Sequence, residues 1–381
     1  MNNNNRFLSI TVLTILLSMG ILNIFAQGSD FASKVKSALE KVQREADKDP
    51  DTFKENIAQL EKDWGGRKDP VERSVMNAML GSAYQEMKWT NITDYDEETR
   101  DDYDVKRDEH YAHVLDNMEA LAQTKANGYA VLMESKRKDN DLFGNDMLSV
   151  LIRFLEDNAS LRSEQKAEIY EKAFNIYRKR GNLNAYGLMK SKWLKAKKNV
   201  EAQYGSLTYE QHKDSLYQLL MELKKEEVGA DLALEYSSSY LWRDEDIPFL
   251  KWAVDNVGGS RRKSEVKKAL DELLRPTVNM SRVDNLMAYR SCPLRLHFWN
   301  CERATVTVRK YVGRTQDKNG TTKLILNGDV VERKEVALEM DSTNLARKAK
   351  DLPVEGNAET SVKLAPGRYV MVAEGIGDTS A

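Results

Sequence analysis

From residue 71 to about residue 274 the apolar positions recur every three or four residues. Val71, Val75, Met76, Met79, Leu80, Ala83, Tyr84 and Met87 fall on one face of a helix. Ile169, Ala173, Ile176 and Tyr177 do the same, and Gly181-Asn182 supplies a left-handed stop. A second helix is predicted over Asn184–Ala196. A third is predicted from Thr208, where Gln211 completes a capping box ahead of Leu216, Leu219, Leu220 and Leu223. A last one covers Ser264–Leu274 and is stopped by Pro276. From Pro276 onward the period changes to two. Leu294, Leu296 and Phe298 alternate with Arg295, His297 and Trp299, and Ala304, Val306 and Val308 alternate with Thr305, Thr307 and Arg309. Lys323–Leu326 runs into Asn327-Gly328, read as a hairpin turn, and Asn319-Gly320 is another turn signal. Val336, Leu338 and Met340 alternate again, and Pro366-Gly367 precedes a closing strand over Arg368–Ala373.

Proline divides the chain in the same place. None lies between Pro70 and Pro248, and four of the seven lie from Pro276 onward. Proline breaks helix interiors, so its absence permits a long helical stretch. The predicted fold class is therefore α+β and multidomain: an all-α region of helical hairpins over 31–275, then an antiparallel sandwich of six or seven strands over 276–381. The hairpins look like an α-solenoid of the tetratricopeptide kind, although no strict repeat period is present. The acidic stretch from Asp94 to Asp104 reads as a loop. Nothing forms a βαβ unit, which argues against a nucleotide-binding sheet.

The first residues follow another logic. Arg6 is the only charge among the first 29 residues, an apolar run extends from Phe7 to Phe25, and Ala26 precedes a polar turn. That is the order of a secretory signal peptide spanning 1–26, cleaved after Ala26. The alternative is an uncleaved anchor helix, because the 19-residue run is long for a signal. No Cys follows it to carry a lipid. The expected location is the periplasm, the cell envelope or the medium, with no transmembrane segment after cleavage.

Composition narrows the chemistry. Lys and Arg number 58 and Asp and Glu 60, so bulk charge does not recruit nucleic acid. Two cysteines exclude a disulfide-stapled scaffold and a zinc site built from four cysteines, and four histidines leave little for metal chemistry. His110 and His113 are spaced i, i+3, without the His-Glu-x-x-His arrangement or an evident third ligand. The 94–104 stretch has Thr99 where a calcium loop needs Gly. If one strand joins Cys292 to Cys301, nine steps of about 3.3 Å hold them roughly 30 Å apart, which favours two free thiols. Trp64, Trp89, Trp193, Trp242, Trp252 and Trp299 read as core filling, and the basic run Lys190–Lys198 as a solvated helix face. No Ser/His/Asp set, phosphate loop or carboxylate pair is legible, so no catalytic, cofactor-binding or metal residue is assigned.

Four segments carry a resemblance. They are Asp139–Ile152; Ile169-Tyr170 with Tyr177, Gly181, Asn182 and Ala185; Pro293–Leu296 through Asn300 to Val306–Tyr311; and Leu364–Val370. In this order, behind an export signal, they resemble the N-terminal region of alpha-2-macroglobulin-like proteins of Bacteroidetes-type bacteria. The resemblance implies a helical region ahead of macroglobulin-type sandwiches, and protease trapping in the envelope with proteases or envelope proteins as partners. The family's thioester requires a Cys-Gly-Glu-Gln motif. Here the cysteines read Cys292-Pro293-Leu294-Arg295 and Cys301-Glu302-Arg303-Ala304, so that chemistry is not carried by this chain. The expectation is a non-catalytic front portion of such a protein, its sandwich either complete or cut short. The alternative is a stand-alone module that binds a peptide, glycan or partner protein; an envelope hydrolase is the third reading.

Overall fold

A computed structural model describes residues 29–46, 48, 52–89, 97–132, 140–204, 209–259, 262–281 and 287–376. The expected leader, 1–26, and the proposed cap at Thr208 lie outside them. The helices in chain order are α1 (29–46), α2 (Thr52–Gly65), α3 (Pro70–Trp89), α4 (Glu97–Ala112), α5 (Met118–Gln123), α6 (Asn140–Phe143), α7 (Met147–Asn158), α8 (Ser163–Lys179), α9 (Leu183–Tyr204), α10 (Tyr209–Leu223), α11 (Gly229–Tyr240), α12 (Arg243–Asn256) and α13 (Lys263–Leu274). The strands are β1 (Thr277–Met280), β2 (Cys292–Trp299), β3 (Arg303–Lys310), β4 (Arg314–Gln316), β5 (Thr322–Leu324), β6 (Val330–Ala337), β7 (Glu355–Val362) and β8 (Tyr369–Ile376). A helix, α14 (Ser342–Ala349), separates β6 from β7. The chain is thus mixed, with helices in its N-terminal part followed by small antiparallel sheets.

Packing divides it into two compact units. One runs to Leu232 and includes Val257–Arg261; the other comprises Ala233–Asn256 and everything from Arg262. In the first unit the predicted stripe of α3 is buried at Val71, Val75, Met76, Met79, Leu80 and Tyr84, with Ala83 half-buried. Leu216, Leu219, Leu220 and Leu223 of α10 are buried as expected. Gly181 takes φ +73° after α8, and Asn182 caps α9 by accepting the Ala185 N–H at 3.1 Å. Helix α9 runs eight residues beyond the expected Ala196.

One expectation is corrected here. The acidic stretch is not a loop from Glu97 onward: it forms the first turns of α4. The helix forms because Tyr103, Tyr111 and, just past its end, Val114 present one buried face. Arg107 on the same side reaches back to Asp104. Residues 94–96 lie outside the described set.

In the second unit β1-β2-β7 and β6-β3-β8 are three-stranded antiparallel sheets, and β4-β5 is a separate hairpin. The two larger sheets face each other over one core: Leu294, Leu296 and Phe298 from β2, Val306 and Val308 from β3, Val336 from β6 and Val362 from β7. Asp317-Lys318-Asn319-Gly320 makes the β4–β5 turn, with Gly320 at φ +76°. Asn327-Gly328 does not close a hairpin. It links β5 to β6, which belong to different sheets. Helices α12 and α13 also belong to this unit. Trp299 donates its indole N–H to the Leu273 carbonyl at 2.8 Å, and Arg347 of α14 forks onto Asp244 of α12 at 2.6 and 2.7 Å.

Candidate functional site

A closely held polar site lies where α7 begins. Gly144 and Asn145 occupy left-handed backbone in succession, at φ +69° and +54°. Glycine and asparagine are the residues that tolerate this conformation. The double twist turns the chain out of α6 and sets Asp146 at the N-cap of α7. Its carboxylate accepts the Ser149 N–H at 2.8 Å, and the Ser149 hydroxyl donates back to the Asp146 carbonyl at 3.0 Å. From α8, 31 residues on, the Tyr177 hydroxyl donates to the same carboxylate oxygen at 2.9 Å. Backbone bonds from Ala126 N to Asn145 O, 2.8 Å, and Met147 N to Thr124 O, 2.9 Å, fix the turn against the segment after α5. Lys125 closes it by donating to the Gly144 carbonyl at 2.6 Å.

Asp146 is 5% exposed and Tyr177 1%. Burial pushes the Asp146 carboxyl up to about 6, against the pull of the Ser149 amide, the Tyr177 hydroxyl and the Lys125 ammonium. The same burial, with Asp146 alongside, pushes the Tyr177 phenol well above its ordinary value. A cavity of about 170 Å³ opens beside the pair, with Lys125, Arg180 and Asn182 in its wall. Chemically, the arrangement is a carboxyl whose proton occupancy changes between about pH 5 and 7 at the junction of α5, α7 and α8. Each of its described bonds is made within the chain.

A larger feature lies in the same unit. Helix α5 is six residues long and packs on α3, α7 and α8. The 17-residue α8 extends past it. The space left over is a groove of about 1270 Å³. Leu115, Leu161, Ile169 and Ile176 give it an apolar lining, and Arg107, Asp116, Glu168 and Lys172 give it charges of both signs. Such a surface suits a mixed-charge amphipathic segment better than a nucleic acid.

The residues singled out in the sequence take other places. His110 does not converge with His113. It stacks on Tyr84 with ring centres 5.8 Å apart and bonds Asn77 at 3.1 Å and Glu61 at 3.0 Å. That contact, together with the Tyr84 hydroxyl, holds the Glu61 carboxyl below its ordinary value despite burial. His113 pairs with Asp116 in the turn after α4, at 2.9 Å. Among the described residues no three His, Cys, Asp or Glu side chains are grouped to hold a metal. Cys292 and Cys301 are both free, at the start of β2 and just past its end.

Two expectations about surface and core are corrected. Trp242 is 80% exposed in the link between α11 and α12. Trp299 is buried, Trp64 and Trp193 meet Phe31 and Phe174 edge-on, and the side chain of Trp89 lies outside the described set. The basic run of α9 is not simply solvated. Lys192 pairs with Glu156 at 2.8 Å, and Lys190 and Lys197 lie over the rings of Tyr186 and Trp193. Aromatic and acidic neighbours half-bury those lysine stems.

The Asp146–Tyr177 bond was not legible as a contact. Both residues stand among the segments that carry the resemblance, where they count as separate markers; the fold joins them. The local half was readable, since Asp146-Met147-Leu148-Ser149 ahead of an apolar run is a helix-start pattern. Among the described residues no helix is long and apolar enough to cross a membrane. In comparisons with known proteins, the chain matches no family model, no curated protein and no solved structure.

Proposed function

We propose that this chain is an exported, non-catalytic module that forms the N-terminal portion of an alpha-2-macroglobulin-like envelope protein. In this reading, endopeptidase inhibition and trapping belong to the larger protein. The helical unit is a docking and spacing element of tetratricopeptide-like hairpins, and the second unit holds the first macroglobulin-type, immunoglobulin-like sandwich. The observation that carries the reading is the pair of three-stranded sheets closing over one core behind a long helical region. That is the order of parts the four sequence segments imply. The apolar run at residues 7–25 supports export to the periplasm or envelope.

An antibody against residues 31–275 tests it on envelope extracts of the source organism. A reacting species several-fold heavier than 43.5 kDa, able to block digestion of a large protein by an endopeptidase while sparing a small peptide substrate, is the expected result. A reacting species near the calculated mass less its leader overturns it. That outcome favours the second reading, a stand-alone module for a peptide, glycan or partner protein, which rests on the 1270 Å³ groove of the helical unit.

A further inference from the structure

The two main sheets of the second unit have four edge strands, and three are guarded. β6 carries Glu332, Arg333, Lys334 and Glu335 in succession, β7 carries Glu355 and Glu359, and β1 is four residues long. Charge and shortness are the usual protections of an exposed sheet edge. β8 has neither over Tyr369–Ala373: it is eight residues long, and this part reads Tyr-Val-Met-Val-Ala.

The register shows what this edge offers. The Tyr311 N–H donates to the Arg368 carbonyl at 2.9 Å, and Lys310 lies opposite Tyr369. In an antiparallel ladder alternate residues spend both backbone groups on the partner strand. Val370, Val372 and Glu374 therefore face β3, and Tyr369, Met371, Ala373 and Gly375 turn their N–H and C=O groups outward. Among the described residues no strand hydrogen-bonds to that side of β8; β1 packs beside its far end, where a methyl group on Gly375 would lie 3.4 Å from Val278, and leaves the stretch from Tyr369 to Ala373 open.

A groove runs along it. Openings of about 760 and 530 Å³ share Met280, Leu324, Val370 and Met371 and merge between β8, β1 and the β4–β5 hairpin. The opposite wall holds Leu324 and Leu326, 46% and 48% exposed. The charged residues lining the openings are Arg314, Arg368 and Lys323, with no acid among them. Lys323 is paired with Asp317 at 3.1 Å, whereas Arg314 and Arg368 have no ion-pair partner among the described residues.

We propose that β8 takes an added strand here: an extended segment of a partner polypeptide in which apolar and acidic side chains alternate. Its backbone pairs with Tyr369, Met371 and Ala373, its apolar side chains meet Leu324 and Leu326, and its carboxylates meet Arg314 and Arg368. Strand addition takes affinity from the backbone and selectivity from alternate side chains. This inference rests on the β unit alone and does not depend on the macroglobulin reading.

The test uses the full chain and capped, fluorescently labelled octapeptides alternating Val with Glu, or Val with Lys. Fluorescence anisotropy and amide exchange resolved to single residues are read together. The expected result is binding of the Glu peptide at least tenfold tighter than the Lys peptide, with slower exchange at Tyr369, Met371 and Ala373. Methylating alternate peptide nitrogens abolishes binding, and Arg314→Glu with Arg368→Glu reverses the preference. Ala373→Pro removes an outward N–H and no β3 bond, and it weakens binding; the methylated peptide serves if that variant misfolds. Equal binding of both peptides, or binding without protection of β8, overturns the proposal. So does concentration-dependent dimerisation that protects β8 without peptide, which assigns the edge to a second copy.

Discussion

Replacing Asp146 by Asn retains the acceptor oxygen of the cap and removes its charge. The carboxyl is raised by burial from 3.8 to about 6. Between those values the folded state holds a proton that the unfolded state has lost. Wild-type stability therefore falls as pH rises from about 4 to about 6, then levels off. At 1.36 kcal/mol per pH unit the loss is about 3 kcal/mol, carried in full at pH 7.5. Asn carries none of it, and its oxygen still receives the Ser149 and Tyr177 donors. Asp146→Asn is expected to be more stable than wild type by ~1–3 kcal/mol at pH 7.5 and equal to it near pH 4. Urea unfolding followed at 222 nm from pH 4 to 8 reads the difference. A variant less stable at pH 7.5, or a difference that does not change with pH, refutes the reasoning. Asp146→Ala separates cap from charge. It loses the cap, at a cost of about 1 kcal/mol, and takes its carboxylate acceptor from the buried Tyr177 hydroxyl, at about 1–3 kcal/mol more.

Three further outcomes are expected. A methyl group on Gly81 of α3 would clash with the edge of the Tyr111 ring, so Gly81→Ala pushes that ring and α4 from α3 and costs ~1–3 kcal/mol in the same unfolding assay. Phe298 is fully buried between the two sheets, and Phe298→Ala costs about 3–5 kcal/mol, read as a lowered melting temperature. Cys301 is buried and its thiol is raised by that burial, so iodoacetamide at pH 8 labels Cys292 first and Cys301 only in denaturant, as peptide mass mapping will show.

The helical stripes and the two central strands were legible because their signals are local: a period of 3.6 at Val71–Tyr84 and of 2 at Leu294–Phe298. Helix α4 was misread for a reason of balance. Its first turns are so acidic that charge outweighed the stripe of Tyr103, Tyr111 and Val114 that stabilises the helix. Helix α14 had a readable start, Asp341 accepting the Asn344 N–H at 2.8 Å, but its low apolar content hid it between strands. Asn327-Gly328 has the chemistry of a hairpin turn. Whether the strands on either side pair is settled by β3, which takes β6 into another sheet. The Asp146 site was half legible for the same kind of reason. A cap is written within four residues, whereas a bond to Tyr177 depends on how α8 lies against α7.

The pairing order of the sheets has a consequence for synthesis. β2 and β3 are the middle strands of their sheets, and their last partners, β7 and β8, follow about 60 residues later. A ribosome adding ~5–20 residues per second leaves them incompletely paired for roughly 3–12 s. Throughout that interval Leu294, Leu296, Phe298, Val306 and Val308 have no completed sheet to cover them. In the helical unit the most extensive pairings, α3 with α4 and α8 with α9, join consecutive helices and close sooner. The nascent chain therefore emerges with a folding-competent front and a sticky rear, and the rear is where a chaperone is needed.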